Sequence, residues 1–245
     1  MHRPDYNDTT YDYTHYWAGR DYEHASELTA LAKLLPAKGN RVLDAGGGFG
    51  RLIPVYKDRF AELVLFDQSH KILAQAEEHA RSLGATVRIQ EGDLYKLSHY
   101  GLGTFDCVVM VRVAHHLDNL EQVVREISAL LLPGGIFILE FANKVHAKSV
   151  LSNAAKLNFG YFSTQPVSRA QKDVTFLNFH PEYVERLLKR CGFKVKTKLS
   201  VSNFRSDAAK KTLTKDSLLV LENLLQGPFG CINFGPSMFV KAIKV

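Results

Sequence analysis

Between residues 41 and 143, short and almost wholly apolar runs alternate with longer runs in which apolar residues recur every three or four positions. The short runs predict strands buried on both faces: RVLDAG (41–46), ELVLFD (62–67), TVRIQ (86–90), FDCVVMVRV (105–113) and IFILEFA (136–142). The longer runs predict the helices that cover them. In FGRLIPVYKDRF (49–60), Pro54 falls near the first turn, where backbone N–H groups lack partners anyway. SHKILAQAEEHARSLG (69–84) opens at Ser69 and closes at Gly84. DNLEQVVREISALL (118–131) has Asp118 at the N-cap and Glu121 three residues on, a capping-box spacing, and Pro133-Gly134-Gly135 ends it. Apolar strands alternating with helices imply a parallel sheet covered on both faces.

Outside this stretch the rhythm changes. Residues 144–179 hold one short helical candidate and a polar, aromatic stretch around Tyr161–Arg169, and predict an irregular insertion of the kind that serves as a lid or binding loop. A helix follows from Pro181 to Gly192, then a strand FKVKTKLSV, a helix over 214–226 and a last strand over 237–245. Residues 21–35 read as a helix ahead of the sheet.

A chain of 245 residues, 46% hydrophobic and 23% charged, suits one sizeable α/β domain. No apolar run approaches a membrane span and the N-terminus has no signal-peptide core, which implies a cytoplasmic protein. The three cysteines, Cys107, Cys191 and Cys231, form no CxxC pair; they read as free thiols, with no metal site expected. The net charge of +6 concentrates between Lys189 and Lys215, where nine basic residues face only Asp207. Lys194, Lys196 and Lys198 alternate along one strand face, as lysines do that guard an exposed sheet edge.

The stretch LDAGGGFGR (43–51) carries the chemistry. A dinucleotide turn needs G-x-G-x-x-G, but the third position is Arg51 in one register and Ile53 in the other. The triphosphate pattern G-x-x-x-x-G-K-[ST] is absent too. What stands is Asp44 followed by Gly46, Gly48 and Gly50; an acid there repels a pyrophosphate and suits a ligand bearing a cation. This resembles the first motif of the class I S-adenosylmethionine-dependent methyltransferases. Asp67 closing the second strand, EGDL after the third, LLPGG before the fifth, and the helix-GF-strand unit HPEYVERLLKRCGFKV extend the resemblance over roughly 41–200. It implies a Rossmann-like seven-stranded, mostly parallel sheet with helices on both faces and the last strand antiparallel. It also implies S-adenosylmethionine as cofactor, S-adenosylhomocysteine as product, and a set of cofactor contacts. Asp44, Ala45 and the turn glycines come first; Asp67 and Gln68 lie at the ribose; Asp93 and Leu94 lie at the adenine; Arg112 and Arg20 complete the set.

The methyl acceptor belongs at the end of the fourth strand, where His115 and His116 are candidate general bases. Adjacent residues of an extended chain point to opposite sides, so one of the pair, His115 first, is expected to reach the substrate. Residues 1–40 are expected to form a lid over a methyltransferase domain, 41–245, with 144–179 on the substrate side. The N-terminal segment YDYTHYWAGRDYEH supplies Tyr11, Tyr13, Tyr16, Trp17 and Tyr22, and the pocket is drawn from Tyr16, Trp17, Tyr22, His115, Asn143 and Tyr161. A small-molecule acceptor is the favoured partner. Two readings compete: an RNA methyltransferase using the basic segments, and a non-catalytic protein that only binds the cofactor.

Overall fold

A computed structural model describes residues 16–171 and 174–245. Tyr11 and Tyr13 lie outside the described residues. Helix α1 (Asp21–Leu34) precedes β1 (Gly39–Ala45), after which come the short α2 (Ile53–Tyr56), β2 (Phe60–Asp67), α3 (His70–Ser82) and β3 (Val87–Glu91). The second half runs β4 (Phe105–Met110), α4 (Leu120–Leu130), β5 (Leu131–Ala142), α5 (Ala147–Ala155), β6 (Val167–Gln171) and β7 (Val174–Asn178). It finishes with α6 (Pro181–Arg190), β8 (Phe193–Val201), α7 (Asp207–Thr212), α8 (Lys215–Cys231) and β9 (Ser237–Lys244).

Seven strands form one sheet in the order β3-β2-β1-β4-β5-β9-β8. Neighbours from β3 through β5 are parallel, and β9 runs antiparallel to both β5 and β8. The fold is thus the expected Rossmann-like sheet with an antiparallel last strand. Alternate residues feed two cores. Leu43, Phe66, Val108 and Phe137 pack beneath α4 and α6. Val42, Leu65, Val109 and Ile138 pack beneath α1, α2 and α3. Strand order reverses between β1 and β4, and open sheets of this kind bind ligands outside the carboxyl ends of the strands at that switch.

Several local expectations are corrected. The helix expected over 49–60 shrinks to Ile53–Tyr56, because Pro54 has no N–H and the chain before it closes in three-residue turns, Gly50 N to Gly47 O and Ile53 N to Gly50 O. The N-cap of α4 is Asn119, whose side chain accepts from Gln122 N, while Glu121 pairs with Arg125 and Arg190 instead of closing a capping box at Asp118. Strand β4 stops at Met110. The insertion 144–179 is structured: α5, a 3-10 turn over Phe159–Phe162, and the β6–β7 hairpin. Helix α8 runs past 226 to Cys231, carrying Pro228 inside it.

Strand β8 is one of the two sheet edges, as its lysines implied. Lys194 and Lys196 are exposed, Lys198 pairs with Glu185 at 2.8 Å, and the register slips between Val195 and Thr197. Charge and a bulge together discourage a further strand from pairing there. Among the described residues no helix is long and apolar enough to cross a membrane.

Candidate functional site

Beyond β1 the chain turns through Gly46, Gly48 and Gly50, with φ of 78°, 54° and 79°, a region that other residues enter only with strain. A Cβ on Gly46 would collide with the Val113 side chain, so the turn lies hard against the segment that follows β4. Asp67, at the end of β2, accepts from Gly48 N at 3.0 Å with one oxygen and from Ser69 N at 3.1 Å with the other. The carboxylate thereby fastens the turn and keeps spare lone pairs on both oxygens. Burial raises its pKa above the ordinary value, and its backbone N–H bonds act against that rise.

Asp44 is 1% exposed and accepts from the Tyr56 hydroxyl at 3.0 Å. Burial pushes its carboxyl up to about 7, opposed by the Tyr56 bond and the Arg51 charge and reinforced by Asp67. A buried acid with so little compensation is one that a neighbouring cation would ionise. Ala45 is fully buried and Gln68 exposed. Asp93, exposed after β3, caps the 3-10 segment Leu94–Tyr100 by accepting from Tyr95 N at 3.0 Å, and Leu94 packs partly against the core.

The switch point also holds a charged network whose acids, Glu27 and Glu140, the sequence reading missed. Glu27 of α1 is 1% exposed and accepts from Arg51 at 2.7 Å, with Arg112 at 3.7 Å. Arg51 lies 3.9 Å over the Trp17 ring, and Arg112 donates to the Tyr16 hydroxyl. Glu140 of β5, also buried, accepts from Arg112 N at 2.8 Å and from the Ser237 hydroxyl at 2.6 Å; burial raises its pKa. Arg112 sits at φ 65°, a conformation that costs a non-glycine residue about 1–3 kcal/mol and that these contacts hold in place. The lone acid in the apolar run IFILEFA was the available signal for Glu140. Glu27 had none, since its arginines lie elsewhere in the chain. Gly46, Gly47, Phe49, Arg51, Leu52, Val111 and Arg112 line a small open cleft.

His115 and His116 are not in extended chain. They form the 3-10 turn Ala114–His116, which swings both rings to the same side, 4.1 Å apart. Phe176 of the β6–β7 hairpin meets them at 5.4 and 5.2 Å, so the insertion covers the end of β4. Burial, with the His116 and Arg112 charges, holds the His115 pKa well below 6.5 and keeps its imidazole neutral at physiological pH.

Other pocket candidates are not among the residues that line this cleft. Tyr22 is buried and donates to Glu222 of α8 at 2.6 Å while accepting from Phe204 N at 3.0 Å. Asn143 is buried too; its amide donates to Asn233 O and Gly235 O and its oxygen accepts from Val145 N, tying β5 to the loop before β9. Tyr161 donates to Lys144 O at 2.7 Å and accepts from Arg169 at 3.2 Å. Tyr16 and Trp17 do stand at the switch point, where Arg20 lies 4.2 Å over the Tyr16 ring.

Residues 43–139 match the family model described as a methyltransferase domain. The ubiquinone biosynthesis O-methyltransferase of Rhizobium etli is 26% identical over 166 residues, covering 68% of this chain and 64% of that protein. The same-named protein of Rhizobium johnstonii is 27% identical over 181 residues, covering 74% and 70%. The chain thus spans about two thirds of the length of these curated relatives. Among solved structures, magnesium protoporphyrin IX methyltransferase from Synechocystis PCC 6803 with bound SAH (S-adenosylhomocysteine) superposes with a TM-score of 0.62 at 18% identity, covering 98% of this chain and 91% of that one. An S-adenosylmethionine-dependent methyltransferase from Mesorhizobium loti gives 0.61 at 20% identity, covering 91% and 100%.

Proposed function

We propose that this chain is a class I S-adenosylmethionine-dependent methyltransferase that transfers a methyl group by in-line displacement to a hydroxyl of a small-molecule acceptor. One observation carries the reading. The sheet order β3-β2-β1-β4 sets Asp93, Asp67, Asp44 and then Arg112 and His115 in a row along its carboxyl edge. Strands lie about 4.8 Å apart, so four of them span roughly 14 Å, the scale of an extended nucleoside joined to an amino acid.

The residues present fit that cofactor. Buried Asp44, titrating near 7, supplies the counter-charge a cation needs. The Trp17 indole N–H is buried with no acceptor among the described residues, a donor suited to a carboxylate. S-adenosylmethionine, when bound, brings an activated methyl on a sulfonium. The protein's part is then mostly alignment and exclusion of water. Asp67 would accept from the ribose hydroxyls on its spare lone pairs, Asp93 would accept from the adenine amino group, and Leu94 would cover the ring. Arg20 and Arg112 would hold the cofactor's carboxylate. His115, neutral and beneath the hairpin, takes the proton of the acceptor hydroxyl. The hydroxyl assignment leans on relatives named O-methyltransferases.

Calorimetry with S-adenosylhomocysteine and with NAD tests the cofactor. We expect micromolar S-adenosylhomocysteine binding that Asp67→Ala weakens by tenfold or more, and no NAD binding. Tight NAD binding without S-adenosylhomocysteine binding overturns the proposal.

A further inference from the structure

The carboxyl edge of the sheet gathers more positive charge than the cofactor's carboxylate requires. Strand β8 runs parallel to β5, since both are antiparallel to β9, so the segments leaving β4, β5 and β8 emerge on the same side. They deliver Arg112, then His146 and Lys148, then Arg205. Arg20 enters from the N-terminal segment and Arg169 from the hairpin. Three of the nearby acids are already engaged. Glu27 pairs with Arg51 and Arg112, Glu140 holds Ser237 and the Arg112 backbone, and Glu23 takes Lys210 at 2.7 and 3.0 Å. Among the described residues, Arg20, Arg169, Arg205 and Lys148 have no carboxylate within ion-pairing distance.

Two of these groups register the crowding. Arg205 is exposed, yet desolvation, then Arg112, and less strongly Arg20, lower its pKa, while Glu23 and Tyr16 oppose them. Burial, then Arg205, Arg169 and Lys148, bring His146 down to about 4. The His146 ring Nδ1 accepts from Ser149 N, which leaves the proton on Nε2 and makes the neutral ring a donor. Like charges collected around a donor, opposed only by a Glu23 already paired with Lys210, are held at a cost that an arriving anion removes.

The cofactor's carboxylate accounts for Arg20 and Arg112 at the β1–β4 switch. Arg205, Arg169 and Lys148 are left around His146 on the insertion side. We propose that the methyl acceptor carries an oxyanion, a carboxylate or a phosphate, that docks between Arg205 and Arg169 beside His146. This deepens the methyltransferase reading and rests on it. Arginine forks bind both anions through paired charge-assisted bonds, so the two share one recognition chemistry.

The test is calorimetric titration of the protein saturated with S-adenosylhomocysteine, using benzoate, phenyl phosphate and benzyl alcohol as probes. At least one anion is expected to bind tenfold or more tightly than the alcohol, and the tighter of the two identifies the oxyanion. Arg205→Gln and Arg169→Gln are each expected to weaken that anion about tenfold. S-adenosylhomocysteine affinity should stay within twofold in both variants, which also confirms that they fold. Equal binding of benzyl alcohol, binding of neither anion, or anion affinity unchanged in both variants overturns the inference. So does a single-stranded RNA oligomer that binds through Arg205 and Arg169 with a steep salt dependence while neither small anion binds. Failure of S-adenosylhomocysteine to bind at all sinks the proposed function instead, and the anion preference of the free protein then reads the Arg205 site separately.

Discussion

Asp44 takes up its proton at a pH set mainly by burial, and this gives the cofactor site a pH signature. Its folded pKa of about 7 lies above the 3.8 of a free aspartate, so the folded state holds the extra proton between about 4 and 7. Its contribution to folding stability is therefore present at low pH and lost as pH rises through that window. A ligand ammonium beside it favours the carboxylate, so binding expels the proton below pH 7. S-adenosylhomocysteine affinity should rise about tenfold per pH unit toward 7 and level off above it. Asp67, which burial also raises, steepens the acid end. Asp44→Asn should bind weakly and show no break near 7 in titrations from pH 5.5 to 8; a flat wild-type profile refutes the counter-charge role. His115 makes the opposite demand. Held neutral, it should let turnover run without a downturn between pH 7 and 6 from this group. His115→Asn should cost about 100-fold or more in kcat with S-adenosylhomocysteine affinity unchanged. An undiminished kcat would leave the histidine pair as packing beneath Phe176.

At the scale of elements, α1 and α8 are joined by buried polar bonds as well as apolar contact. Glu222 accepts from the Tyr22 hydroxyl, from Ser202 N at 2.8 Å and from Asn203 N at 3.0 Å. Tyr22→Phe removes one donor to a buried carboxylate and leaves Phe204 N without its acceptor. We expect a loss of about 1–3 kcal/mol in denaturant unfolding with cofactor affinity retained. A drop in affinity without loss of stability would restore Tyr22 to the pocket. This pair also marks the boundary of what was legible in the chain. Strands buried on both faces leave contiguous apolar runs, and Ser69, Gly84 and Pro181 punctuate the helices by rules local to a few residues, so the sheet and most helices could be read directly. The glycine turn was legible because positive φ selects the residue type. Tyr22 and Glu222 are 200 residues apart, and no local pattern announces their bond. The turn at His115 is likewise decided from outside. The apolar alternation of 105–113 continues toward it, yet Arg112 is turned out of the strand by its bonds to Glu140 and Tyr16.

For the whole molecule, the β1–β4 switch makes the site a junction between the N-terminal segment and the sheet. Helix α1 contributes Ala30, Leu31 and Leu34 to the core, while Glu27 on the same helix holds Arg51 and Arg112 at the cleft. Just ahead of that helix, Trp17 sits over Arg51 with its indole N–H turned inward. A ligand that bonds to this donor is held by both parts of the chain and has to be released before they separate. At a hundredfold excess over Kd, a ligand binding only the native state adds about 2.7 kcal/mol. For a chain of this size that corresponds to roughly 5–10 °C in Tm. S-adenosylhomocysteine should therefore raise the melting temperature by about that amount in a thermal scan. Trp17→Ala should melt near the wild type without ligand, since the α1 core contacts remain, and should show less than half the ligand-induced shift at the same concentration. An equal shift in the variant would mean that Trp17 only shields Arg51 from solvent. The tie between cofactor and fold would then run through the other cofactor contacts and not through Trp17.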